Sequence, residues 1–175
     1  MAKRLNTSEL NCLFLSDLGH EFCALSEPAY KPLILSPKTN KEIKYKVYVY
    51  NCTNPPGGRT LDEYKIQLIT PEQKRGERGH LDDSDGTIIL IAGFAVYDSL
   101  ENGVWVLWDT NMHRDFAYSA NLQVKMGSLI DSITRKVFYL KKPGNGENIV
   151  VSDRKHLKQA IKLRRKIDLE NLLEG

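Results

Sequence analysis

The chain has 175 residues, of which 41% are hydrophobic and 27% are charged, and its formal net charge is +3. This length fits a single domain, because a chain of about 150 residues buries roughly two-thirds of its unfolded surface. The composition excludes an intrinsically disordered chain. No apolar run approaches the roughly 20 residues of a membrane span, and we find no signal peptide, so we expect a cytoplasmic protein with no membrane partner.

The three cysteines, Cys12, Cys23 and Cys52, show neither a Cys-x-x-Cys spacing nor a matching histidine pair. We therefore expect free thiols and no bound metal. Nucleophile elbows, phosphate-binding loops and dinucleotide fingerprints are also missing from the sequence. We accordingly predict no catalytic residues and no cofactor.

Residues 1–40 are predicted to form an N-terminal helix and arm. Thr7 or Ser8 can cap a short helix, and Pro28 interrupts the chain after it. Lys3 and Arg4 would make the arm basic, although a frayed, solvated terminus explains them more simply.

Residues 43–52 alternate in the manner of a strand. Lysines interleaved with tyrosines at period two are typical of a sheet surface that meets nucleic acid, with ammonium groups for phosphates and rings for stacking. An edge strand protected by lysines is the simpler interpretation. The polar face consists of Lys44, Lys46, Tyr48 and Tyr50, and the other face consists of Tyr45, Val47 and Val49.

The next predicted strand, residues 64–70, follows a Pro-Pro-Gly-Gly loop that is tipped by Arg59. On this strand Lys65 can meet a phosphate or a guanine, and Gln67 carries the amide that pairs with adenine in the major groove. A solvated strand face explains the same pattern.

Residues 71–86 form a polar linker whose first half is basic and whose second half is acidic. A loop of this length without structure of its own is usually functional or disordered. Lys74 and Arg75 could reach a DNA backbone, although a mobile, solvated loop is the simpler interpretation.

Two apolar runs, residues 87–97 and 104–109, flank a loop that contains Asn-Gly, which predicts a β-hairpin. Because both faces of this hairpin are apolar, we expect other segments to cover it on both sides. The polar segment 111–121 should then leave the core as a displayed loop. Asn and Arg there have the bidentate geometry for adenine and guanine edges, and Ser and Tyr hydroxyls suit phosphates. The candidate side chains are Asn111, His113, Arg114, Tyr118, Ser119 and Asn121.

A helix capped by Ser119 or Asn121, strands at residues 135–142 and 148–152, and a last helix capped by Asp153 complete the chain. Residues 153–166 carry a charge of +6, from seven basic residues and one acidic residue, whereas the rest of the chain carries −3. This asymmetry predicts an anionic partner, or equally a solvated helix that leads to a further domain. The basic side of this helix consists of Lys155, Lys158, Lys162, Arg165 and Lys166.

Two Glu-x-Lys triplets, at residues 42–44 and 63–65, match the ligand and lysine spacing found in many Mg-dependent nucleases. Such sites also need an aspartate on an upstream strand. No Asp lies between Asp17 and Asp62, so the triplets favour a nuclease only weakly.

Four segments follow one another along the chain: Tyr64-Lys-Ile-Gln67, the apolar run that ends near Gly93-Phe94, Val104-Trp-Val-Leu-Trp-Asp109, and Tyr118-Ser-Ala-Asn-Leu-Gln-Val124. In this order they resemble the non-catalytic, B3-like DNA-recognition domains of bacterial restriction endonucleases of the LlaJI, BfiI and EcoRII types. The resemblance extends over roughly residues 44–165, and the charged linker 71–86 departs from it. It implies a seven-stranded pseudobarrel with flanking helices that places two arms in the DNA major groove. The first arm would be residues 51–67 and the second residues 111–121.

We therefore expect a mixed, β-rich α+β fold, a single-domain open pseudobarrel of the seven-stranded type with two or three flanking helices. Residues 1–40 would form the helix and arm, residues 41–170 the DNA-binding domain, and residues 171–175 a tail or the start of a linker. The DNA-binding candidates are Arg59, Lys65, Gln67, Asn111, His113, Arg114, Tyr118, Ser119 and Asn121; the candidate phosphate contacts are Lys44, Lys46, Lys74, Arg75, Lys158, Lys162 and Arg165.

The expected function is sequence-dependent binding of double-stranded DNA for a restriction endonuclease whose nuclease domain or subunit lies elsewhere. A second hypothesis is a reader of methylated or otherwise modified bases that flips the base into an aromatic pocket, for which Trp105, Trp108 or Tyr118 are candidates. A place in the core is the simpler interpretation of both tryptophans. A self-contained Mg-dependent nuclease and a protein-interaction module are also compatible with the sequence.

Overall fold

A computed structural model describes residues 4–54 and 60–175, so Arg59 lies outside the described residues. Within these ranges the helices are α1 (Thr7–Leu18), α2 (Met126–Arg135) and α3 (Leu157–Glu174). Short 3-10 helices occupy Thr110–His113 and Arg154–His156. The strands are β1 (Phe22–Ala24), β2 (Leu33–Pro37), β3 (Tyr45–Cys52), β4 (Glu63–Leu68), β5 (Gly79–His80), β6 (Ile88–Ala95), β7 (Val104–Trp108), β8 (Asp115–Phe116), β9 (Ala120–Lys125), β10 (Val137–Lys141) and β11 (Asn148–Asp153).

Seven strands form the main sheet, in the order β1-β2-β3-β6-β7-β11-β10. Neighbours in this sheet are antiparallel, except that β3 and β6 run parallel. Two smaller sheets pair β4 with β9 and β5 with β8. In the described part of the chain the main sheet does not close into a barrel. The predicted class, a β-rich α+β fold with an open seven-stranded sheet and flanking helices, is confirmed.

The central hairpin forms as its sequence predicts. Strands β6 and β7 pair antiparallel, with Ile91 opposite Trp108 and Phe94 opposite Trp105. Both strands are buried on both faces, as the two apolar runs require. The rest of the chain is therefore arranged as two layers on this pair.

The two faces of the main sheet belong to two separate apolar clusters. Helices α1 and α3 cover one face, around Trp105. The ribbon of β4 and β9, together with α2, covers the other face, around Trp108. Successive strand residues point to opposite faces, which is why neighbouring residues of β6 divide between the clusters. Both tryptophans thus belong to the core, and the hypothesis that they hold a flipped base is wrong.

Trp105 also joins helix α1 to the C-terminal part of the chain. Its Nε1 donates a hydrogen bond to Oδ2 of Asp17 at 2.8 Å. The guanidinium of Arg154 bonds the same carboxylate, with Nη2 2.9 Å from Oδ1. The buried indole N–H is thereby satisfied, which removes the cost of burying an unpaired donor.

The first part of strand β3 is not the edge that its lysines suggest. Residues 45–47, which include Lys46, lie between β2 and β6, and only the later part of β3 lacks a β2 partner. Tyr48 and Tyr50 are buried in the cluster around Trp108, so they do not form a surface for stacking bases. Alternation shows that a strand has two different faces, but it does not show what covers the polar face.

A helix was predicted to start at Ser119 or Asn121, and this prediction is wrong for residues 120–125. Residues 120–125 form β9, and α2 begins at Met126. In β9 Leu122 and Val124 point inward while Asn121 and Lys125 are exposed, which is the period of a strand.

The N-terminal region combines a helix with two strands. Asn6, rather than Thr7 or Ser8, caps α1, in a capping box with Glu9. Strands β1 and β2 add to the main sheet beside β3. The predicted domain boundaries at residues 40 and 170 stay predictions. None of the three described helices has the length and apolar character that a bilayer crossing requires.

Gly93 of β6 offers a test of how tightly the ribbon packs on the sheet. A Cβ at this position would lie 2.8 Å from Cζ3 of Trp108 and 2.9 Å from Cγ2 of Ile66. We expect Gly93→Ala to lower the free energy of unfolding by about 1–3 kcal/mol, as overpacked cores do. Chemical denaturation measures the change.

Gly127→Ala is the matched control, because a Cβ there meets no atom within 4 Å. It should leave the stability unchanged or raise it by up to about 1 kcal/mol, since Gly127 lies in a helix. Equal stabilities for the two variants would contradict the close packing of the ribbon.

Candidate nucleic-acid interface

Strands β4 and β9 form a two-stranded ribbon that packs on the sheet through one side. The register places Tyr64 opposite Val124 and Ile66 opposite Leu122. These four side chains point inward and join the cluster around Trp108. Each buried apolar side chain contributes roughly 1.5–3 kcal/mol, so the ribbon is firmly anchored.

The outer side of the ribbon carries Lys65, Gln67, Ser119 and Asn121, which we name the ribbon face. Nζ of Lys65 donates to Oδ1 of Asn121 at 3.3 Å, and Nε2 of Gln67 donates to Oγ of Ser119 at 3.4 Å. Both hydrogen bonds are long, so these groups keep most of their capacity to bond an external partner. Four predicted DNA-binding residues therefore lie together on one surface.

The two predicted arms are joined at this surface rather than held apart. Gln67 of the first arm lies directly opposite Asn121 of the second. The pairing satisfies the backbone groups of both segments, which an isolated polar arm would have to leave to water. One ribbon thus takes the place of the two separate arms that the resemblance implied.

Further contacts fix the ribbon at its margins. Thr53 forms a bridge with Lys65, in which its N–H donates to the Lys65 carbonyl at 2.8 Å. Nε1 of Trp108 donates to the carbonyl of Gln123 at 3.4 Å. Gln123 also lies on the outer side, opposite Lys65. It was not among the predicted site residues because a helix was expected there, although the alternation of residues 120–125 identifies it.

Tyr118 marks the end of the ribbon and joins it to the linker. Its φ of 53° lies in the left-handed region, which bulky residues rarely adopt, and its side chain is 62% exposed. The Tyr118 carbonyl accepts a hydrogen bond from Nε2 of Gln73, and the same Nε2 donates to the carbonyl of Glu77 at 2.8 Å. The basic half of the linker, with Lys74 and Arg75 exposed, is therefore tied to the end of the ribbon.

Asn111 and Arg114, two predicted base readers, bond each other. Nε and Nη2 of Arg114 donate to Oδ1 of Asn111 at 3.1 and 2.9 Å, and its Nη1 lies 2.8 Å from Oδ2 of Asp83. Beside them Nδ1 of His80 lies 2.7 Å from Oδ1 of Asp115. Carboxylates in this position would repel phosphates. This half of the second arm is therefore less suited to DNA than the ribbon face.

His113 is turned towards the protein. Its Nε2 lies 2.7 Å from Oε1 of Glu147, which also accepts the backbone N–H of Asp109 at 3.1 Å. The Asp109 side chain in turn accepts the N–H of Asn111 at 2.9 Å, which caps the 3-10 helix. His113 thus positions the start of the polar segment, and its Nε2 is engaged within the protein.

Arg164 of α3 reaches the same point from the last helix. Its Nη2 lies 2.7 Å from Oδ1 of Asp168 and 3.8 Å from Oδ2 of Asp109, and its Nη1 donates to the Asn148 carbonyl. Burial raises the pKa of the Asp168 carboxyl, and the guanidinium opposes that rise. Arg164 is only 1% exposed, so its charge, which counts toward the +6 of residues 153–166, lies in the interior.

Lys46, a predicted phosphate contact, is paired within the protein. Its Nζ lies 2.8 Å from Oδ2 of Asp85 and donates to the Asp82 carbonyl at 3.0 Å. The hydrogen bond from Lys46, with others from Thr87, lowers the pKa of the Asp85 carboxyl. Lys44 is exposed just before β3.

Lys158, Lys162 and Arg165 lie on α3, which covers the face of the sheet opposite the ribbon. Nζ of Lys158 lies 2.8 Å from Oε2 of Glu21, and this bond lowers the pKa of the Glu21 carboxyl. The structure does not bring these three predicted phosphate contacts together with the ribbon face.

The two Glu-x-Lys triplets lie at different places. Glu42 and Lys44 are exposed before β3, whereas Glu63 and Lys65 lie on the outer side of β4. Nζ of Lys125 lies 3.8 Å from Oε1 of Glu63. Within residues 4–54 and 60–175 no group of three or more His, Cys, Asp and Glu side chains is placed to hold a metal ion.

Fold and site together define a β-rich domain that displays a polar, two-stranded ribbon on a rigid sheet. The chain matches the model of the methylase-associated X1 family, MTaX1, over residues 43–161, and it belongs to that family. The matched segment contains the ribbon, the linker and the central hairpin. Membership links the chain to restriction-modification at the level of a methylase-associated domain. No curated protein and no solved structure matches the chain.

Arg164 provides a test of the buried contacts that hold the polar segment. Arg164→Met leaves the carboxylates of Asp168 and Asp109 without their buried cation, so we expect the free energy of unfolding to fall by about 3–5 kcal/mol. Arg165→Met, which changes the next residue of the same helix, should cost less than about 1 kcal/mol.

Denaturant unfolding measures both variants. The double variant Arg164→Met/Asp168→Leu should recover part of the stability, because one unpaired carboxylate is then removed. A decrease for Arg164→Met no larger than that for Arg165→Met would show that these buried contacts contribute little.

Proposed function

We propose that the chain is a non-catalytic module that binds double-stranded DNA in a sequence-dependent way. Its catalytic partner, a nuclease or methylase domain or subunit of the same restriction-modification system, would lie elsewhere. The observation that carries the proposal is the pairing of β4 with β9, which gathers the ribbon face on one surface. Family membership supports the setting.

The shape of the ribbon supports contact with the major groove. That groove is about 12 Å wide and admits a two-stranded β-ribbon as well as a helix. A β-ribbon inserted with its outer side towards the base pairs would present the ribbon face to their edges. We therefore propose that one ribbon enters the groove, in place of the two arms of a B3-like domain.

The side chains of the ribbon face have the chemistry for this role. Gln67 and Asn121 carry amides that can bond the N6 and N7 positions of adenine in a bidentate manner. Lys65 can donate to guanine O6 and N7, and the Ser119 hydroxyl can bond a base or a phosphate. Burial of the inner side of the ribbon holds these groups in place, which reduces the entropy cost of binding.

The surrounding charges favour the same orientation. The exposed Lys74 and Arg75 lie in the half of the linker that is tied to Tyr118, beside the ribbon face. The acidic half of the linker pairs with Lys46 and Arg114 instead. A duplex on the ribbon face would therefore meet cations at the ribbon's end, where they can hold its backbone.

Recognition of modified bases is a variant of this proposal. Trp105 and Trp108 are buried in the core, whereas the ring of Tyr118 is exposed at the end of the ribbon. A flipped base would have to stack on Tyr118.

A binding selection on random duplex DNA tests the proposal directly. It should be run with and without methylated cytosine and adenine, at two salt concentrations. We expect an enriched sequence motif at both salt concentrations. Affinity with a steep salt dependence and no motif would mean phosphate attraction alone, which would contradict sequence-dependent binding. Incubation of plasmid DNA with the protein and Mg²⁺ should leave the plasmid intact; cleavage would instead support a self-contained nuclease.

Two substitutions test the ribbon face itself. Gln67→Ala and Asn121→Ala should each weaken binding to the selected duplex by about 1–3 kcal/mol and relax the preference at one base position. Quantitative gel shift or fluorescence anisotropy measures the affinity, and repeated selection measures the preference.

Gln159→Ala is the matched control, because it removes the same amide from an exposed position on α3. It should change neither affinity nor motif. If Gln67→Ala and Asn121→Ala behave like this control, the ribbon face is not where DNA is recognised.

A further inference from the structure

A basic cavity of about 470 Å³ opens beside the ribbon. Cations from three distant parts of the chain line it, namely Arg4, Lys31 and Lys65. Among the described residues that line the cavity there is no Asp or Glu. The uncompensated positive charge makes this cavity different from the regions around Lys46 and Lys158, where carboxylates pair with the lysines.

The cavity exists because β2 covers only part of the edge of β3. The register between these strands ends at the pair of Leu33 with Val47, so the later half of β3 has no β2 partner. There the side chain of Asn51 holds the N-terminal segment: it accepts the N–H of Leu5 at 3.0 Å, and its Nδ2 donates to the Leu5 carbonyl at 2.8 Å. These two bonds hold Arg4 at the cavity.

Lys31 is the most confined of the three cations. Its Nζ lies 3.8 Å from the centroid of the Tyr50 ring, in a cation–π contact. Burial lowers the pKa of its ammonium group to about 8. In the described part of the chain Lys31 has no ion pair with a carboxylate. A bound anion would supply the compensation that this buried charge lacks.

Lys65 and Gln67 belong both to the cavity lining and to the ribbon face. A duplex that contacts the ribbon face would therefore pass beside the cavity. We propose that the cavity binds a phosphate group, which a phosphodiester of the bound duplex supplies. The assignment to a phosphodiester rests on the proposed function, whereas the assignment to a phosphate group rests on the cavity alone.

Inorganic phosphate tests the cavity without DNA. Titration of the isotope-labelled protein at constant ionic strength, with chloride as the reference anion, should give saturating shifts of the backbone amides of Lys31, Asn51 and Leu5. Lys31→Met keeps an apolar stem on Tyr50 but removes the charge, and it should abolish these shifts. The variant removes a partly buried charge that has no carboxylate partner, which offsets the loss of the cation–π contact with Tyr50. It should therefore fold about as well as the parent, which thermal unfolding verifies.

Duplex DNA tests the source of the phosphate. Lys31→Met and Arg4→Gln should each weaken binding about tenfold, the scale of one charge-assisted hydrogen bond. The slope of log affinity against log salt should fall in magnitude by about 0.9 for each phosphate that the variant no longer neutralises. The selected motif should stay the same, since phosphate contacts carry no sequence information.

Lys38→Met and Lys155→Met are the matched controls, because both lysines are exposed and neither lines the cavity. Both variants should keep the phosphate shifts of the parent, and any change in their salt slope should be smaller than that of Lys31→Met.

The outcomes separate the two proposals. Phosphate shifts that Lys31→Met removes, in a protein that binds no DNA, would support the phosphate site, assign it to a free phosphate compound and overturn the proposed function. If the protein does bind DNA but Lys31→Met leaves its salt slope unchanged, the same phosphate shifts would also assign the site to a free phosphate compound. The cavity proposal would be overturned if phosphate gave no specific shifts and if Lys31→Met and Arg4→Gln bound duplex DNA like the controls. The ribbon face would then still be judged by its own substitutions.

Discussion

The parallel pairing of β3 with β6 is the constraint on which the rest of the structure depends. The register runs from Tyr45 opposite Ile88 to Cys52 opposite Ala95. Parallel neighbours cannot be joined by a tight turn, because the end of one strand and the start of the next lie at opposite ends of the sheet. Residues 53–87 make the connection, and they carry β4, β5 and the linker across one face of the sheet. This connection supplies β4, the half of the ribbon that carries Lys65 and Gln67, and β9 after the central hairpin supplies the other half.

The interface is rigid because apolar burial and buried polar contacts fix its inner side to the sheet and to α3. The inner side of the ribbon belongs to the core, so its outer side has a defined position without any ligand. At the other end of the polar segment, Glu147 holds His113 and Asp109, and Arg164 links Asp109 to α3. Buried ionic groups of this kind contribute little net stability, but each must keep its partner, which makes the local geometry unique.

Acidic and basic residues of the connection between β3 and β6 lie in different places. The acidic half of the linker pairs with Lys46 and Arg114, and the basic half is tied to Tyr118. The cavity with Lys31 lies at the opposite margin of β4, where Thr53 bridges to Lys65. Cations therefore flank the ribbon face on two sides, whereas the basic helix that dominates the sequence lies behind the sheet. This arrangement is the physical reason why the ribbon is a better candidate for DNA than α3.

Local pattern identified the central hairpin, β3, β4 and the last helix, because helix and strand periods follow from backbone geometry alone. It assigned the residues of β9 to a helix and did not identify β1 and β2. The sequence by itself determined the central hairpin, the coverage of both its faces and the last helix after Asp153. It also identified Lys65, Gln67, Ser119 and Asn121 as candidates, although it assigned them to separate arms. Only the tertiary structure decided that residues 120–125 pair with β4, that His113 and Arg164 face inward, and that Lys31 lies beside Tyr50. These facts depend on contacts between residues far apart in the chain, for which the local sequence carries no periodic signal.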